Sequence, residues 1–306
     1  MQACLERARV AAQTDLPILI LGESGCGKTI LARAIHNSSR RKRQPFISFN
    51  AAALSDTLLD SQLFGHERGA FTGAQQRMKG KFEQAHLGTL FLDEIADLSA
   101  AAQSKILRAV EYGEFERLGS EQLQRADVRV MSATHRPLNG DAGRFRQDLF
   151  FRISGFTVNV PPLRDRPNDL PDLLATEIER AGRQQGKTIV GLDRPAAARL
   201  LAYSWPGNLR ELWTVIHAAV ALATGDVITD ANLILDPAEA VPSPSPGAPP
   251  GAAPNHTLRD AVRRHVSQVM AEAGGNKRKA ARLLGVSRAT LDRKLQELGK
   301  VSKQDR

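Results

Sequence analysis

A glycine-rich octapeptide near the start of the chain has the residue types that bind phosphate. Its residues are Gly22, Glu23, Ser24, Gly25, Cys26, Gly27, Lys28 and Thr29. It follows an apolar run and precedes a helical pattern, so its backbone N–H groups and the positive end of a helix can surround an anion. Lys28 would reach the outer phosphates of a nucleoside triphosphate, and the Thr29 hydroxyl would bind Mg²⁺. The octapeptide therefore predicts a nucleotide-binding loop.

Two adjacent carboxylates follow a second apolar run, residues 88–92, and complete the expected site. Asp93 and Glu94 would lie at the carboxyl edge of a parallel sheet, beside the phosphate-binding loop. Asp93 can help to hold hydrated Mg²⁺, and Glu94 can orient or deprotonate an attacking water molecule. An apolar strand followed by acids is weak evidence alone, but with the phosphate-binding loop it predicts a site that binds and hydrolyses a nucleoside triphosphate.

Between these two motifs lies a stretch that ordinary folding does not explain. Its six residues are Gly69, Ala70, Phe71, Thr72, Gly73 and Ala74. A Phe flanked by Gly and Ala in polar surroundings suits neither a strand nor a helix, and the glycines let the backbone bend freely. The pattern predicts a loop with Phe71 on a mobile tip, which nucleotide chemistry moves against a partner. A second loop, residues 112–124, is expected to move with it.

Five short apolar runs alternate with helical patterns and must position these residues. The predicted strands cover residues 18–21, 46–49, 89–92, 128–131 and 156–160. This alternation predicts an α/β fold with a parallel, doubly wound sheet. Beyond Pro161 the strand patterns stop, and a smaller all-helical subdomain is expected. Its predicted helices cover residues 168–186, 195–203, 207–224 and 230–235.

Composition and charge divide the 306 residues further. A proline-rich stretch, residues 237–254, has almost no apolar bulk and predicts an extended linker. Residues 255–306 contain 13 Lys/Arg against 5 Asp/Glu and hold most of the net charge of +9. A basic module typically faces a polyanion, although a solvated basic tail is the simpler alternative. The expected domains are an α/β ATPase subdomain at 1–160, a helical lid at 161–236, a linker at 237–255 and a DNA-binding module at 256–306.

Several classes of protein are disfavoured by the composition. No apolar run approaches the ~20 residues that span a bilayer, and a signal-peptide pattern is missing. The only two cysteines, Cys4 and Cys26, lack metal-ligand spacing, so zinc is not expected. Their small number fits a reducing cytoplasm. A cytoplasmic protein without a membrane partner is predicted.

Six motifs in one order carry a family resemblance. The phosphate-binding loop, GAFTGA, GTLFLDE, FRQDLFFR, PPLRDR and WPGNLREL together resemble the AAA+ P-loop NTPase domain of NtrC-type bacterial enhancer-binding proteins. The resemblance covers nearly the whole chain. It implies an ATPase that assembles from dimers into a hexameric ring and remodels RNA polymerase carrying sigma-54. It also implies that residues 69–74 contact sigma-54, through Phe71 and Thr72.

The resemblance also assigns roles to single residues. Arg146 and Arg152 match the fingers offered to a neighbouring subunit's γ-phosphate, although either could form a surface salt bridge instead. Arg210 matches the sensor arginine of the lid. Asn50 matches the residue that holds the catalytic glutamate away until the ATP state changes, with a strand-end cap as the alternative. Thr134 matches the polar sensor at the end of the fourth strand.

Two positions, Thr29 and Cys26, depart from the common family pattern. Thr29 stands where many relatives place Glu, which does not put ATP binding in doubt. His135 stands where the family often has Asn, but His also fits the pattern there, and it receives no proton-transfer role. Cys26 stands where relatives carry a small residue. A small filler is the favoured interpretation of this thiol, with redox control as the alternative.

The basic module has the pattern of three helices. Gly285 and Val286 form a short turn before Ser287, which can cap the last helix. The pattern resembles the Fis-type helix-turn-helix of the same family, an all-α module that binds double-stranded DNA at upstream enhancer sites as a dimer. The residues expected to contact DNA are Ser287, Arg288, Thr290, Arg293 and Lys294.

The leading hypothesis is an ATP-hydrolysing transcriptional activator of sigma-54 polymerase. The alternative is a DNA-binding regulator whose ATPase serves assembly only. A clamp-loader or protease-type motor would need neither residues 69–74 nor a DNA-binding tail. Because only about sixteen residues precede the first strand, no N-terminal regulatory domain is expected. Either a partner protein regulates the chain in trans, or the sequence is a piece of a longer protein.

Overall fold

A computed structural model describes residues 1–52, 55–138 and 145–235, which include a five-stranded parallel sheet. The strands are β1 (Ile18–Leu21), β2 (Phe46–Asn50), β3 (Gly65–His66), β4 (Met78–Lys79), β5 (Thr89–Asp93), β6 (Glu114–Glu116), β7 (Leu123–Arg125), β8 (Arg129–Thr134), β9 (Phe156–Asn159), β10 (Gly191–Leu192) and β11 (Val227–Ile228). The main sheet has the order β2-β5-β8-β1-β9, and all its neighbours are parallel. Its strands are the five that the sequence predicts: β1 has the predicted ends, and no end of the other four differs by more than three residues.

Helices cover both faces of this sheet and form the lid. The α-helices are α1 (Gln2–Ala12), α2 (Lys28–Asn37), α3 (Asp56–Phe64), α4 (Lys81–Gln84), α5 (Ala100–Tyr112), α6 (Gln147–Ile153), α7 (Leu170–Gln185), α8 (Arg194–Ala202) and α9 (Asn208–Leu222). Short 3₁₀ turns cover Ile95–Asp97, Leu163–Asp165, Pro167–Asp169 and Asp230–Asn232. None of the described helices is long and apolar enough to cross a membrane.

Alternation along the strands divides the apolar core into two layers. Ile18 and Ile20 pack into one cluster with α1 and α2, whereas Leu19 packs into the other with α3, α5 and α6. On β5, Phe91 belongs to the first cluster and Leu90 to the second. Successive side chains of a strand point to opposite faces, so continuous apolar runs are required for a sheet covered on both sides.

The strand register brings the polar strand ends together. Leu21 pairs with Thr134, and Asn50 pairs with Asp93, each at the carboxyl end of its strand. Because the strands are parallel, their last residues and the loops that follow lie at one edge of the sheet. The phosphate-binding loop leaves β1 at this edge.

The lid has its own apolar core, built by α7, α8 and α9. Trp205 is fully buried there, and its indole N–H donates to the carbonyl of Leu200 at 3.1 Å. The expectation that strands stop after Pro161 is wrong in one detail, because β10 and β11 form a short parallel pair. The predicted helix at 230–235 is also wrong: after a single 3₁₀ turn, Asp230–Asn232, Leu233 and Leu235 turn into the lid core.

Candidate active site

Left-handed backbone at two glycines shapes the phosphate-binding loop. Gly25 has φ +76° and Gly27 has φ +105°, a region that other residues seldom adopt. A β-carbon on Gly25 would also come within 2.3 Å of the Gly207 carbonyl oxygen, so a larger residue would push the lid away from the loop. Gly27 directly precedes α2, whose N-terminus points its free N–H groups into the loop.

Lys28 lies at the centre of the site. Only 6% of this residue is exposed, and its ammonium group donates to the carbonyls of Gly22 at 3.0 Å and Glu23 at 3.1 Å. Its Nζ atom also lies 3.7 Å from Oε1 of Glu94. The phosphate-binding loop therefore holds the Lys28 ammonium group in the place where phosphates would bind.

Asp93 and Thr29 form the part of the site that suits Mg²⁺. The Thr29 hydroxyl donates to Oδ2 of Asp93 at 3.3 Å, across the gap between α2 and β5. Burial and the neighbouring charge of Glu94 raise the pKa of Asp93 above its ordinary value, so a bound cation would be favourable there. Oxygen donors such as these are what Mg²⁺ prefers, with water and phosphate completing its shell. In the described part of the chain, no group of three or more His, Cys, Asp or Glu could hold a metal.

Glu94 follows Asp93 in a left-handed conformation, with φ +53° and ψ +48°. Its Oε2 atom accepts a hydrogen bond from Nδ1 of His135 at 2.7 Å. The expected partner, Asn50, lies level with Asp93, but its side-chain oxygen accepts from the backbone N–H of Ala52 at 2.8 Å. The sequence did not indicate the contact between His135 and Glu94, because 41 residues separate them.

Lid residues hold the phosphate-binding loop from the other side. Arg164 forms a forked ion pair with Glu23, at 2.8 and 2.5 Å. Burial opposes the ionised Glu23 carboxylate, but the hydrogen bond from Arg164 has the larger effect and lowers its pKa. The fully buried Asn208 donates to the same carboxylate and to the Ser24 carbonyl, each at 3.1 Å.

Two further lid arginines contact the loop. Arg210, the expected sensor, donates to the Ser24 hydroxyl at 3.0 Å from the first turn of α9. Arg166 donates to the Cys26 carbonyl at 3.0 Å. The Cys26 side chain is 1% exposed, and burial raises the pKa of its thiol. A buried, protonated thiol fits the favoured interpretation of Cys26 as a small filler.

Of the two predicted finger arginines, Arg146 is the N-cap of α6 and Arg152 lies in its last turn. The Arg146 guanidinium binds the Asp148 carboxylate and the Ser104 hydroxyl. The Arg152 guanidinium donates to the Glu111 carbonyl at 3.1 Å. Both side chains are exposed, as a group that serves a neighbouring subunit must be. Thr134 is fully buried, and its hydroxyl accepts from the Arg136 backbone N–H at 3.0 Å.

Residues 69–74 form the tip of a hairpin between β3 and β4. Thr72 and Gly73 are exposed, and Gly69 closes the tip by donating to the Ala74 carbonyl at 2.8 Å. Phe71 is half-buried, and its ring meets the His66 ring edge-on at 5.0 Å between centroids. The stretch is neither helix nor strand, as expected, but its Phe rests against the hairpin base.

A buried cation joins this hairpin to the second predicted loop. Arg117 is 5% exposed, and its guanidinium binds Glu67 at 2.8 Å and both oxygens of Glu83 at 2.8 and 2.7 Å. Next to it, Leu118 exchanges backbone hydrogen bonds with the β3 end of the hairpin. We name Arg117, Glu67 and Glu83 the Arg117 clasp. The clasp connects the two loops physically, as their expected joint motion requires.

The expected DNA-contacting residues, Ser287 to Lys294, lie outside the described residues, as does the linker. Family comparison nevertheless covers them. Residues 1–159 match the family model of the sigma-54 interaction domain, 164–248 that of an AAA+ ATPase lid domain, and 257–298 that of bacterial regulatory proteins of the Fis family.

Known proteins similar to this chain include transcriptional regulators. The chain is 43% identical over 297 residues to the transcriptional regulatory protein ZraR of Klebsiella oxytoca, covering 96% of this chain and 66% of that protein. It is 40% identical to the Nif-specific regulatory protein of Azotobacter vinelandii, covering 97% of this chain and 57% of that one. The chain thus spans about two thirds or less of the length of these relatives.

A solved structure has the same fold. NtrX from Brucella abortus, crystallised in complex with ATP, superimposes with a TM-score of 0.70 at 34% identity, over 98% of this chain and 67% of that one. The parallel sheet, the helical lid and the ordered motifs agree with the family matches. The chain belongs to the sigma-54 interaction domain family of AAA+ proteins, with a Fis-type helix-turn-helix module at its C-terminal end.

Proposed function

We propose that this chain is an ATP-hydrolysing transcriptional activator that converts closed complexes of sigma-54 RNA polymerase into open complexes. The observation that carries the proposal is the 69–74 hairpin, with its exposed Thr72, in the same α/β unit as Lys28 and Glu94. A motor that served only its own assembly would have no use for such a hairpin. The family membership supports sigma-54 as its target.

In this proposal each residue of the site has one task in hydrolysis. Lys28 and the N–H groups of residues 22–27 bind the β- and γ-phosphates. Thr29 and Asp93 hold Mg²⁺, which would supply positive charge against the phosphates when bound. Glu94 orients water and accepts its proton as the bond to the γ-phosphorus forms and the bond from phosphorus to the bridging oxygen breaks.

The assembly proposed is a homo-oligomer, a hexameric ring formed from dimers. Arg146 and Arg152 are exposed on one side of the α/β unit, where they can reach phosphates bound by a neighbouring subunit. The Arg210 guanidinium donates to the Ser24 hydroxyl at 3.0 Å within the same chain, so Arg210 reports nucleotide binding to the lid of that chain. A ring lets each hydrolysis event act on two subunits.

The Fis-type module brings this motor to double-stranded DNA upstream of the promoter. Arg288, Thr290, Arg293 and Lys294 are proposed to enter the major groove, with Ser287 capping the helix that carries them. The family match over residues 257–298 supports this placement.

Replacement of Phe71 by Ala tests the proposal. Phe71 is half-buried at the hairpin tip, where its ring packs against His66, which is not a residue of the nucleotide site, so the variant should hydrolyse ATP at its usual rate. It should lose open-complex formation on a sigma-54 promoter, because the apolar contact is gone. Val190→Ala, which removes an apolar side chain that is 75% exposed on the lid, is the matched control and should retain both activities.

Equal open-complex formation by Phe71→Ala and Val190→Ala would contradict the proposed contact. If the unchanged chain hydrolysed ATP and bound DNA but opened no promoter, the ATPase would serve assembly only. Either result is read from the same transcription reaction, with ATP consumption measured in parallel.

A further inference from the structure

Both carboxylate oxygens of Glu94 have a partner. Oε1 lies 3.7 Å from the Lys28 ammonium group, and Oε2 accepts from Nδ1 of His135 at 2.7 Å. A carboxylate can only accept, so the proton of this hydrogen bond is on His135 Nδ1. The two contacts fix which oxygen faces the phosphates and which faces away.

Phosphate binding changes one of these contacts. The Lys28 ammonium group marks the place of the β- and γ-phosphates, and it would turn towards them when they arrive. Oε1 then loses its cation and becomes the oxygen that can accept from water. Oε2 keeps its partner, because His135 directly follows β8 and does not belong to the phosphate-binding loop.

The segment that carries His135 is braced on both sides. Before it, Thr134 is fully buried and bonds to the backbone of Arg136. After it, the Arg136 guanidinium pairs at 2.8 Å with Asp97, in the 3₁₀ turn that follows Glu94. The ends of β5 and β8 are thus tied twice, so the imidazole meets the carboxylate in a defined orientation.

We propose that His135 is the positioning residue that aims the Glu94 carboxylate at the attacking water. This inference deepens the proposed ATPase function and rests on it. In the structure Asn50 binds the Ala52 backbone, so the orienting contact to Glu94 comes from His135. The imidazole contacts Glu94 and acts through it.

Two substitutions separate this role from simple packing. His135→Leu keeps much of the bulk but removes the donor, and it should lower kcat for ATP about tenfold while KM changes less than about twofold, since one orienting hydrogen bond is lost. His135→Asn places an amide N–H close to the position of Nδ1 and should restore kcat to within about threefold of the unchanged chain.

The lid offers a matched control pair. His217 binds Glu177 at 2.8 Å, and its side chain is 33% exposed against 38% for His135. His217→Gln preserves the reach of the bonding nitrogen, Nε2, and should leave both constants unchanged.

Steady-state ATPase assays of the full chain and the three variants test the positioning role of His135. If His135→Leu has an unchanged kcat, or if His135→Asn is as slow as His135→Leu, the positioning role is wrong. A rise in KM that matches the fall in kcat/KM would also overturn it, because the residue would then act in binding. Absence of hydrolysis by the unchanged chain would remove the proposed function itself, whereas the preceding outcomes remove only the role of His135.

Discussion

Replacement of Arg117 by Met tests whether the Arg117 clasp holds the two loops together. The guanidinium is 5% exposed and makes three hydrogen bonds of 2.7–2.8 Å to two carboxylates. Its removal leaves the half-buried Glu83 without its ion-pair partner, whereas Glu67 keeps only the exposed Arg77, whose Nε lies 3.4 Å from Oε1 of Glu67. Breaking a buried ion pair costs about 3–5 kcal/mol, but the Glu67 side chain is 32% exposed and partly solvated. We therefore expect the variant to lose about 2–4 kcal/mol of unfolding free energy.

Urea titration followed by circular dichroism measures this loss. The matched control is Arg183→Met, which breaks the exposed i,i+4 pair with Glu179 on the lid. That variant should lose less than about 0.5 kcal/mol, because water solvates both partners. Arg117→Lys should fall between the two, since it keeps the charge but not the fork.

The same clasp predicts a dependence on pH. Burial alone would raise the pKa of Glu83, but the hydrogen bonds and charge of Arg117 outweigh burial and lower it. A lowered folded-state pKa means that this stabilisation is complete above the unfolded-state value of about 4.3 and is lost as pH falls through the folded-state value. The difference between the unchanged chain and Arg117→Met should therefore shrink in acid. A loss below about 1 kcal/mol at pH 7, or a difference that grows in acid, would refute this account of the clasp.

Two further predictions concern the lid and the subunit boundary. The Lys187 ammonium group donates to three carbonyls at the end of α9, at 2.7–2.9 Å, so Lys187→Met should cost about 1–2 kcal/mol in urea titration; no measurable change would contradict this capping role. Lys28→Ala and Arg152→Ala should each be inactive as ATPases, whereas their mixture should recover activity, because some interfaces pair an intact Lys28 with an intact Arg152. A mixture that is no more active than its components would show that Arg152 does not act on nucleotide bound by a neighbouring subunit.

Local sequence patterns are sufficient to predict the parts of this molecule that depend on neighbouring residues. The apolar run 18–21, the glycines and Lys28 are contiguous, so a strand, a tight loop and a helix start follow directly. Parallel pairing then places Asp93 beside Thr29 without further information. The short pair β10 and β11 was missed, because two-residue strands have no alternation to recognise.

Contacts between distant residues could not be predicted in the same way. Arg117 lies 50 residues from Glu67 and 34 from Glu83, and neither spacing has a local meaning. The sequence assigned His135 no role, whereas the structure gives it Glu94 as a partner. The half-burial of Phe71 also depends on His66, whose place is set by the hairpin. Such partners are decided by how the segments pack.

The most direct test of the central claim is promoter melting that depends on ATP hydrolysis. Permanganate footprinting of a sigma-54 promoter, with polymerase and the full chain, measures melted DNA directly. We expect melting with ATP, and none with a non-hydrolysable analogue or with Glu94→Gln. Melting that persists with the analogue or with Glu94→Gln would contradict the claim, and so would an unmelted promoter where ATP is being hydrolysed.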